Sequence, residues 1–212
     1  MERLGELKEL VKQGKDQESI KLVEELLNQG VSAEEILSRA LIPAMDEVGE
    51  LFQKGEYFIP EMLVSARAMQ KSMEVLRPKL QEAGVQAQGK VVLGTVKGDL
   101  HDIGKNLVKM MLEGAGFEVI DLGVDAGPEK FVQAVKEHQP QLVGMSALLT
   151  TTMLSMKDTI EALKQAGVRE QLKIMVGGAP VRQEFAEEIG ADFYGKDATE
   201  AKDYARRVAG AS

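Results

Sequence analysis

The stretch VVLGTVKGDLHDIG, residues 91–104, joins a short apolar run to a polar loop that contains two glycines. The apolar run is typical of a buried strand, and the residues after the loop return to helical spacing. Four further apolar runs follow, each with a helical segment behind it: FEVIDL, LVGMSA, KIMVGG and the weaker DFYG. This alternation predicts an α/β domain with a five-stranded parallel sheet, doubly wound in a flavodoxin-like (Rossmann-type) order.

The residues that precede this domain follow a different pattern. Apolar side chains recur at helical spacing up to about Leu80, and no strand-like run interrupts them. Gly30 is a predicted helix end, Ser32 and Glu35 predict a capped start for the third helix, and a fourth helix begins near Pro60. The first part of the chain is therefore predicted to be a four-helix bundle.

A polar segment, QEAGVQAQG at residues 81–89, separates the two patterns and lacks apolar periodicity. We interpret it as a linker between a helical domain at residues 1–88 and an α/β domain at residues 89–212. An extended linker of this length spans at most about 30 Å. That reach would let one domain move away from a site on the other.

Composition excludes several classes of function. The chain has no cysteine, which rules out disulfides, iron–sulfur clusters and a thiol nucleophile. Its net charge is −8 and its basic residues are scattered, so nucleic acid is not an expected partner. The charged start MERLGELKEL and the lack of a long apolar run argue against a signal peptide or membrane span, and we expect a cytoplasmic protein.

Two loops are predicted to meet at one edge of the sheet. In a flavodoxin-like order the winding reverses between the first and third strands, and ligands bind beyond the carboxyl ends of those strands. The loop after the first strand is GDLHDIG and the loop after the third is SALLTTT. We therefore expect one crevice that contains Asp99, His101, Ser146, Thr150 and Thr152.

The sequence around these loops differs from two common functional patterns. The first loop differs from a Walker loop because five residues separate Gly98 from Gly104 and because Asn106 replaces the magnesium-binding Ser or Thr. A phospho-accepting receiver domain needs an aspartate at the end of the third strand, where this chain has Ser146. Nucleotide hydrolysis and receiver signalling are both disfavoured.

Three roles remain open for His101: acid–base catalysis, metal ligation, or a solvated position beside a capping aspartate. Asp99 could hold a proton on one ring nitrogen and leave the lone pair of the other available. One imidazole among hydroxyls is a poor site for a bare zinc ion, which takes three or four protein ligands. A metal at this site is therefore expected to arrive in its own macrocycle.

Three motifs carry a resemblance to a known family: D-x-H-x-x-G at residues 99–104, S-x-L at residues 146–148 and GG at residues 177–178. Together they resemble the signature of cobalamin-binding domains. The helical first part is similar to the cap that precedes such domains in cobalamin-dependent methionine synthase and in the small corrinoid proteins of methyltransferase systems. The resemblance covers nearly the whole chain.

The resemblance implies a role for each matching residue. His101 would be the lower axial ligand of cobalt in place of the cofactor's own base, with Asp99 hydrogen-bonded behind it. Thr152 would supply the hydroxyl of this relay, where methionine synthase has a serine. The remaining contacts to the cofactor and its nucleotide tail would come from Gly98, Asp102, Ile103, Gly104, Ser146, Leu148, Thr150, Gly177, Gly178 and Ala198.

The segment LFQKGEYFIPEM of the helical part resembles the segment that covers the upper face of the corrin. On this register Phe52 and Ile59 would shield the methyl group, with Met62 nearby. The other histidine of the chain, His138, is expected to be a solvated surface residue.

The function implied by the resemblance is that of a methyl-carrying corrinoid protein. Cobalt(I) of cobalamin or a related corrinoid would accept a methyl group from a donor-specific methyltransferase, and methylcobalt(III) would pass it to an acceptor through a second methyltransferase. A reductive activator would be an optional third partner. The chain would be the cofactor-carrying subunit of such a system rather than a self-sufficient enzyme, and the donor (methanol, a methylamine, a betaine or an aryl methyl ether) is left open. The alternatives are a cobalamin-responsive sensor without methyl transfer and a flavodoxin-like flavin binder.

Overall fold

The computed structural model describes residues 2–210. By its internal contacts the chain divides into two units. One runs to Ala87 and includes Glu113–Gly116, and the other comprises Gln88–Leu112 and the residues from Phe117 onward.

The first unit is helical. Its elements are α1 (Glu2–Lys12), α2 (Asp16–Asn28), α3 (Ala33–Ile36), a π-helical turn (Leu37–Leu41), α4 (Ile42–Gln53) and α5 (Ile59–Glu82). Because α3, the π-helical turn and α4 follow one another without a break, the unit has four helical rods. The predicted four-helix bundle is confirmed, and its core contains Leu7, Ile36, Leu41, Met45 and Leu76, all essentially inaccessible to water.

The ends of these helices follow the local sequence. The Ser32 hydroxyl accepts a hydrogen bond from the Glu35 amide (3.1 Å), which is the predicted cap of the third rod. Helix α5 continues to Glu82, so the first two residues of the predicted linker are helical instead. Gly84 follows the end of α5, and its φ of +69° lets the Val85 amide turn back to the Leu80 carbonyl.

The second unit is a parallel sheet covered by helices. Its strands are β1 (Lys90–Thr95), β2 (Glu118–Asp121), β3 (Leu142–Ser146), β4 (Lys173–Gly177) and β5 (Phe193–Gly195), in the order β2-β1-β3-β4-β5. Its helices are α6 (Ile103–Gly114), α7 (Pro128–His138), α8 (Leu154–Gln165), α9 (Gln183–Ile189) and α10 (Ala198–Ala209), with a short 3₁₀ turn at Arg169–Gln171. All strand pairs are parallel, and the predicted flavodoxin-like order is confirmed.

The register aligns the ends of four strands at the carboxyl edge of the sheet. Thr95 pairs with Ser146, Ser146 with Gly177, and Gly177 with Gly195. The loops after β1 and β3 therefore leave the sheet side by side, as the sequence predicts. Among residues 2–210, no helix has both the length and the apolar character needed to cross a membrane.

Candidate cofactor site

The loop between β1 and α6 presents His101 at the carboxyl edge of the sheet. Gly98 has a φ of +82°, a left-handed conformation that glycine adopts readily. The turn is closed by the Asp99 amide, which donates to the Val96 carbonyl (3.1 Å). The loop then runs outward to His101, whose side chain is 50% exposed.

Asp99 is the centre of the hydrogen bonds at this site, and it is completely inaccessible to water. Its Oδ2 accepts from the Thr152 hydroxyl (2.6 Å) and from the amides of Leu148 (2.8 Å) and Leu149 (3.3 Å). Its Oδ1 accepts from the His101 amide (3.0 Å) and lies 2.8 Å from His101 Nδ1. The carboxylate thereby joins the loops after β1 and β3.

These donors keep Asp99 ionised. Burial on its own would raise the pKa of this carboxyl, but the hydrogen bonds from Thr152, Leu148 and His101 outweigh it and hold the pKa well below its usual range. An ionised carboxylate can only accept hydrogen bonds, so His101 Nδ1 must carry a hydrogen. Nε2 has no hydrogen-bond partner within residues 2–210, and in the neutral ring its lone pair is available to a ligand.

Apolar side chains are exposed around this imidazole. Leu100 (72% exposed) and Ile103 (68%) flank His101 in the chain. Leu148 and Leu149, whose amides contact Asp99, are also exposed, and so is Leu154 at the start of α8. Exposed apolar side chains gathered in this way mark a surface that a ligand or partner covers.

The two glycines after β4 are required by the packing of the protein's own backbone. A Cβ added at Gly178 would lie 1.9 Å from the Ala147 carbonyl oxygen, and its φ is +126°. A Cβ at Gly177 would lie 2.9 Å from the Gly195 carbonyl oxygen. Gly178 lets the loop after β3 lie close to the end of β4, and Gly177 does the same for the end of β5. Their predicted contact with a nucleotide tail stays a prediction.

The other predicted residues of the α/β unit are placed as follows. Gly104, at the start of α6, has open space where a side chain would project. Ser146 is half-buried and Thr150 is exposed in the loop after β3, while Ala198 is the buried first residue of α10. The Asp102 side chain, just before α6, accepts a hydrogen bond from Asn106 Nδ2 (3.1 Å), and its predicted contact with the cofactor stays a prediction.

The three predicted residues of the helical unit differ in exposure. Met62 is buried in the bundle, Phe52 is half-buried and Ile59 is exposed. Phe58, which the sequence analysis did not select, is the most exposed large apolar residue among the described residues of this unit, at 63%. It directly precedes α5, where Leu63 and Val64 are exposed as well.

Further residues at the site were missed from the sequence. The Thr95 hydroxyl donates to the His101 carbonyl (2.9 Å), and the Gly98 amide donates to Asp125 Oδ1 (2.7 Å). The Asp125 amide in turn donates to the Asp99 carbonyl (2.9 Å). A hydroxyl at a strand end and an aspartate in a following loop are weak sequence signals, because such residues occur in most α/β proteins.

The residues present fit a metal macrocycle. The imidazole offers one oriented nitrogen, the surrounding apolar side chains offer a surface for a flat ring, and Gly104 leaves open space beside them. The Thr199 hydroxyl, next to Ala198, is buried and lacks a hydrogen-bond partner within the described residues. No three His, Cys, Asp or Glu side chains gather as a cage for a bare ion in residues 2–210.

At its switch point the doubly wound sheet presents one carboxylate-oriented histidine with exposed apolar side chains nearby, and this arrangement fits a domain that binds a metal macrocycle. The B12 binding domain family matches residues 89–202, and a second B12 binding domain family matches residues 4–77. The chain belongs to the B12 binding domain family of corrinoid proteins.

Relatives and solved structures agree with this assignment. The chain is 41% identical to trimethylamine corrinoid protein 1 of Methanosarcina acetivorans, over 98% of this chain and 97% of that protein. A cobalamin-binding protein from Desulfitobacterium hafniense has a similar structure, with a TM-score of 0.80, 36% identity and coverage of 97% and 98% of the two chains. A chain of the methanol:cobalamin methyltransferase complex MtaBC from Methanosarcina barkeri matches with a TM-score of 0.88 and 28% identity, over 100% of this chain and 81% of that one.

Proposed function

We propose that this chain is a corrinoid protein that holds a methyl group on the cobalt of its cofactor and transfers it between methyltransferases. The observation that supports this most directly is the half-exposed His101 ring, oriented by the buried, ionised Asp99 and surrounded by exposed apolar side chains. Relatives over almost the full length are named corrinoid proteins, and one similar chain belongs to a methyltransferase complex. The corrinoid supplies a cobalt atom that can accept a methyl group and give it up.

The residues of the chain have separable tasks in this proposal. His101 Nε2 binds the metal, and Asp99 fixes the ring and its tautomer through Nδ1. Thr152 donates to the far oxygen of Asp99 and so completes the relay.

We infer two methyltransferase partners, one that delivers the methyl group and one that receives it. An enzyme for a methylated amine should be tried first as the donor, because the relative at 41% identity is named a trimethylamine corrinoid protein. A reductive activator, a cytoplasmic location and the shielding roles of Phe52, Ile59 and Met62 stay predictions from the resemblance and the composition.

We also propose residues 88 and 89 as the boundary between the two domains. The segment from Ala83 to Gln88 lies between α5 and β1, and most of it is exposed. Brief digestion with subtilisin, followed by intact mass measurement, should give fragments that end in this segment. A first cleavage inside α5 or β1 would contradict the boundary.

The test of the ligand assignment uses the two histidines of the chain as a matched pair. The protein and its His101→Ala and His138→Ala variants are loaded with cobinamide, a corrin without the nucleotide base, reduced to cobalt(II) and examined by electron paramagnetic resonance and absorbance. We expect the splitting from an axial nitrogen of the protein in the unchanged protein and in His138→Ala, and its loss in His101→Ala. Unchanged spectra in His101→Ala would exclude this histidine as the ligand.

A second measurement separates the methyl carrier from the sensor. Loaded protein is mixed with candidate methyltransferases and their methyl donors, and the spectrum of the cofactor is followed over time. We expect methylation with at least one donor enzyme and demethylation with an acceptor enzyme. A cofactor that binds firmly and is never methylated would favour the sensor.

A further inference from the structure

The Thr95 side chain contacts the main chain of His101, the candidate metal ligand. It is the last residue of β1, it is completely buried, and its hydroxyl donates to the His101 carbonyl at 2.9 Å. Its own backbone is fixed on both sides, because its amide donates to the Gly123 carbonyl and its carbonyl accepts from the Ala126 amide, each at 2.9 Å. The hydroxyl therefore projects from a residue whose main chain is held by hydrogen bonds on both sides.

With Thr95 included, both peptide groups of His101 are held. The amide on the N-terminal side donates to Asp99 Oδ1 (3.0 Å), and the carbonyl on the C-terminal side accepts from Thr95. Fixing both peptide planes fixes φ and ψ of His101, and so the direction in which its Cβ leaves the main chain. Asp99 then fixes the ring through Nδ1 (2.8 Å).

This arrangement matters because His101 is in a loop. It precedes α6, which begins at Ile103, so no helical hydrogen bond holds its carbonyl. A metal ligand needs a position reproducible to about 0.5 Å, and residues that are held by neighbouring hydrogen bonds provide it better than free loops do. Asp99 alone fixes the ring but leaves the following peptide free to rotate.

We propose that Thr95 is a positioning residue, which holds the His101 main chain so that the imidazole is preorganised to bind the metal of the corrinoid. This inference rests on the proposed function and extends it to a residue that does not touch the cofactor. Removal of the hydroxyl should weaken the bond from His101 to cobalt without removing the ligand itself.

The experiment compares three substitutions. Thr95→Val replaces the hydroxyl with a methyl group of similar size, and Thr95→Ser keeps the hydroxyl. Thr159→Val is the matched control, because Thr159 is equally buried and its hydroxyl also donates to a backbone carbonyl, that of Ser155 at 2.7 Å in α8. Thr95→Ala, which leaves space instead of adding an apolar group, replaces Thr95→Val if the latter does not fold.

The readout is the ratio of histidine-bound to histidine-free cobalt(II) in the loaded proteins, from their paramagnetic resonance spectra at one fixed pH. Loss of one hydrogen bond that preorganises the ligand should lower this ratio about fivefold in Thr95→Val. Thr95→Ser should restore it, and Thr159→Val should lose thermal stability without changing it. A ratio in Thr95→Val within about twofold of the unchanged protein would overturn the proposal.

A cofactor-free measurement keeps this inference separate from the proposed function. Hydrogen exchange of the His101 amide in the unloaded protein should be about fivefold faster in Thr95→Val and unchanged in Thr159→Val. Equal exchange in all variants would count against Thr95 as the restraint on this loop. If the unchanged protein shows no histidine-bound cobalt at all, the proposed function fails, whatever the variants do.

Discussion

At the scale of single residues, Gly104 offers the clearest separation of binding from folding. An added Cβ would meet nothing within 4 Å, and the residue is at the start of α6 with an ordinary helical backbone. Alanine is favoured over glycine in helices by about 0.5–1 kcal/mol. We therefore expect Gly104→Ala to leave the unloaded protein as stable or slightly more stable in urea unfolding.

Cobalamin binding by Gly104→Ala should change in the opposite direction to stability. If the open space at Gly104 admits the nucleotide tail, a methyl group there should weaken cobalamin binding by tenfold or more, an effect of about 1.4 kcal/mol. An equilibrium titration with cobalamin, followed by absorbance, measures the change in affinity. Unchanged affinity in Gly104→Ala would show that the tail passes elsewhere.

Gly178 provides the contrasting case. Its positive φ and the 1.9 Å approach to the Ala147 carbonyl oxygen make any side chain there a clash with backbone. Gly178→Ala should lower the free energy of unfolding by about 3 kcal/mol or more, with or without cofactor. Wild-type stability in urea would mean that the turn after β4 differs from the one described.

At the scale of elements, a partly buried ion pair joins α6 to the end of β2. Lys105 is almost inaccessible to water, and its Nζ lies 2.7 Å from both oxygens of Asp121. Asp121 also accepts from the Gly123 amide (2.9 Å) and contacts Lys109 (3.3 Å). This pair fixes the start of the helix that follows the His101 loop.

The pair predicts a specific pH dependence of stability. Burial raises the pKa of Asp121, but the hydrogen bond from Lys105 and the other donors outweigh it, so the folded pKa is lower than the unfolded one. The folded state then binds the proton more weakly, so the stabilisation is complete above about pH 4 and is lost as the pH falls through the folded pKa.

Urea unfolding of the unloaded protein and of Asp121→Asn, between pH 7 and pH 3, measures this effect. We expect a constant stability difference at the upper end, which shrinks below about pH 4. Subtracting the two curves removes the contribution of the other carboxyl groups. A difference that stays constant down to pH 3 would show that the Asp121 proton is not linked to folding.

The elements also show which parts of the fold can be predicted from sequence. All five strands and their order follow from short apolar runs separated by helical segments, because that pattern depends only on burial and chain direction. The π-helical turn before Pro43 was not predicted. Proline lacks an amide hydrogen and crowds the preceding turn, but whether a helix then breaks or widens depends on tertiary packing.

For the site, too, the sequence predicts which loops meet but not every contact within them. Asp99, His101 and Thr152 were predicted to share one crevice because their loops leave adjacent parallel strands, and their relay was predicted from the resemblance. Asp99 is in direct hydrogen-bond contact with each of the other two. The bonds from Thr95 and Asp125 depend on how the loops curve back on themselves, which no residue spacing specifies.

At the scale of the whole molecule, each unit has its own exposed apolar surface. In the α/β unit it surrounds His101, and in the helical unit it is at the beginning of α5, with Phe58, Ile59, Leu63 and Val64. Exposed groups of this kind are uncommon on monomers without a ligand or partner. The resemblance predicts that the helical segment covers the cofactor, and it stays a prediction.

Cofactor binding to the folded chain should stabilise the whole molecule, and the contribution of each part of the cofactor can be measured. A ligand at about 100 times its Kd adds about 2.7 kcal/mol to the stability of the state that binds it. For a chain of this length that corresponds to a rise in Tm of about 5–10 °C. Cobinamide, which has the corrin ring but lacks the nucleotide tail, isolates the contribution of the ring.

We therefore expect cobalamin to raise Tm more than cobinamide does at equal concentration. His101→Ala should lower the shift with both ligands, because the bond to cobalt is common to them, whereas Gly104→Ala should lower it only with cobalamin. Differential scanning calorimetry of the three proteins with the two ligands provides this comparison. Equal shifts for cobalamin and cobinamide in the unchanged protein would mean that the tail has no binding slot beside the sheet. The roles predicted for Ser146, Leu148, Thr150 and Ala198 would then be wrong.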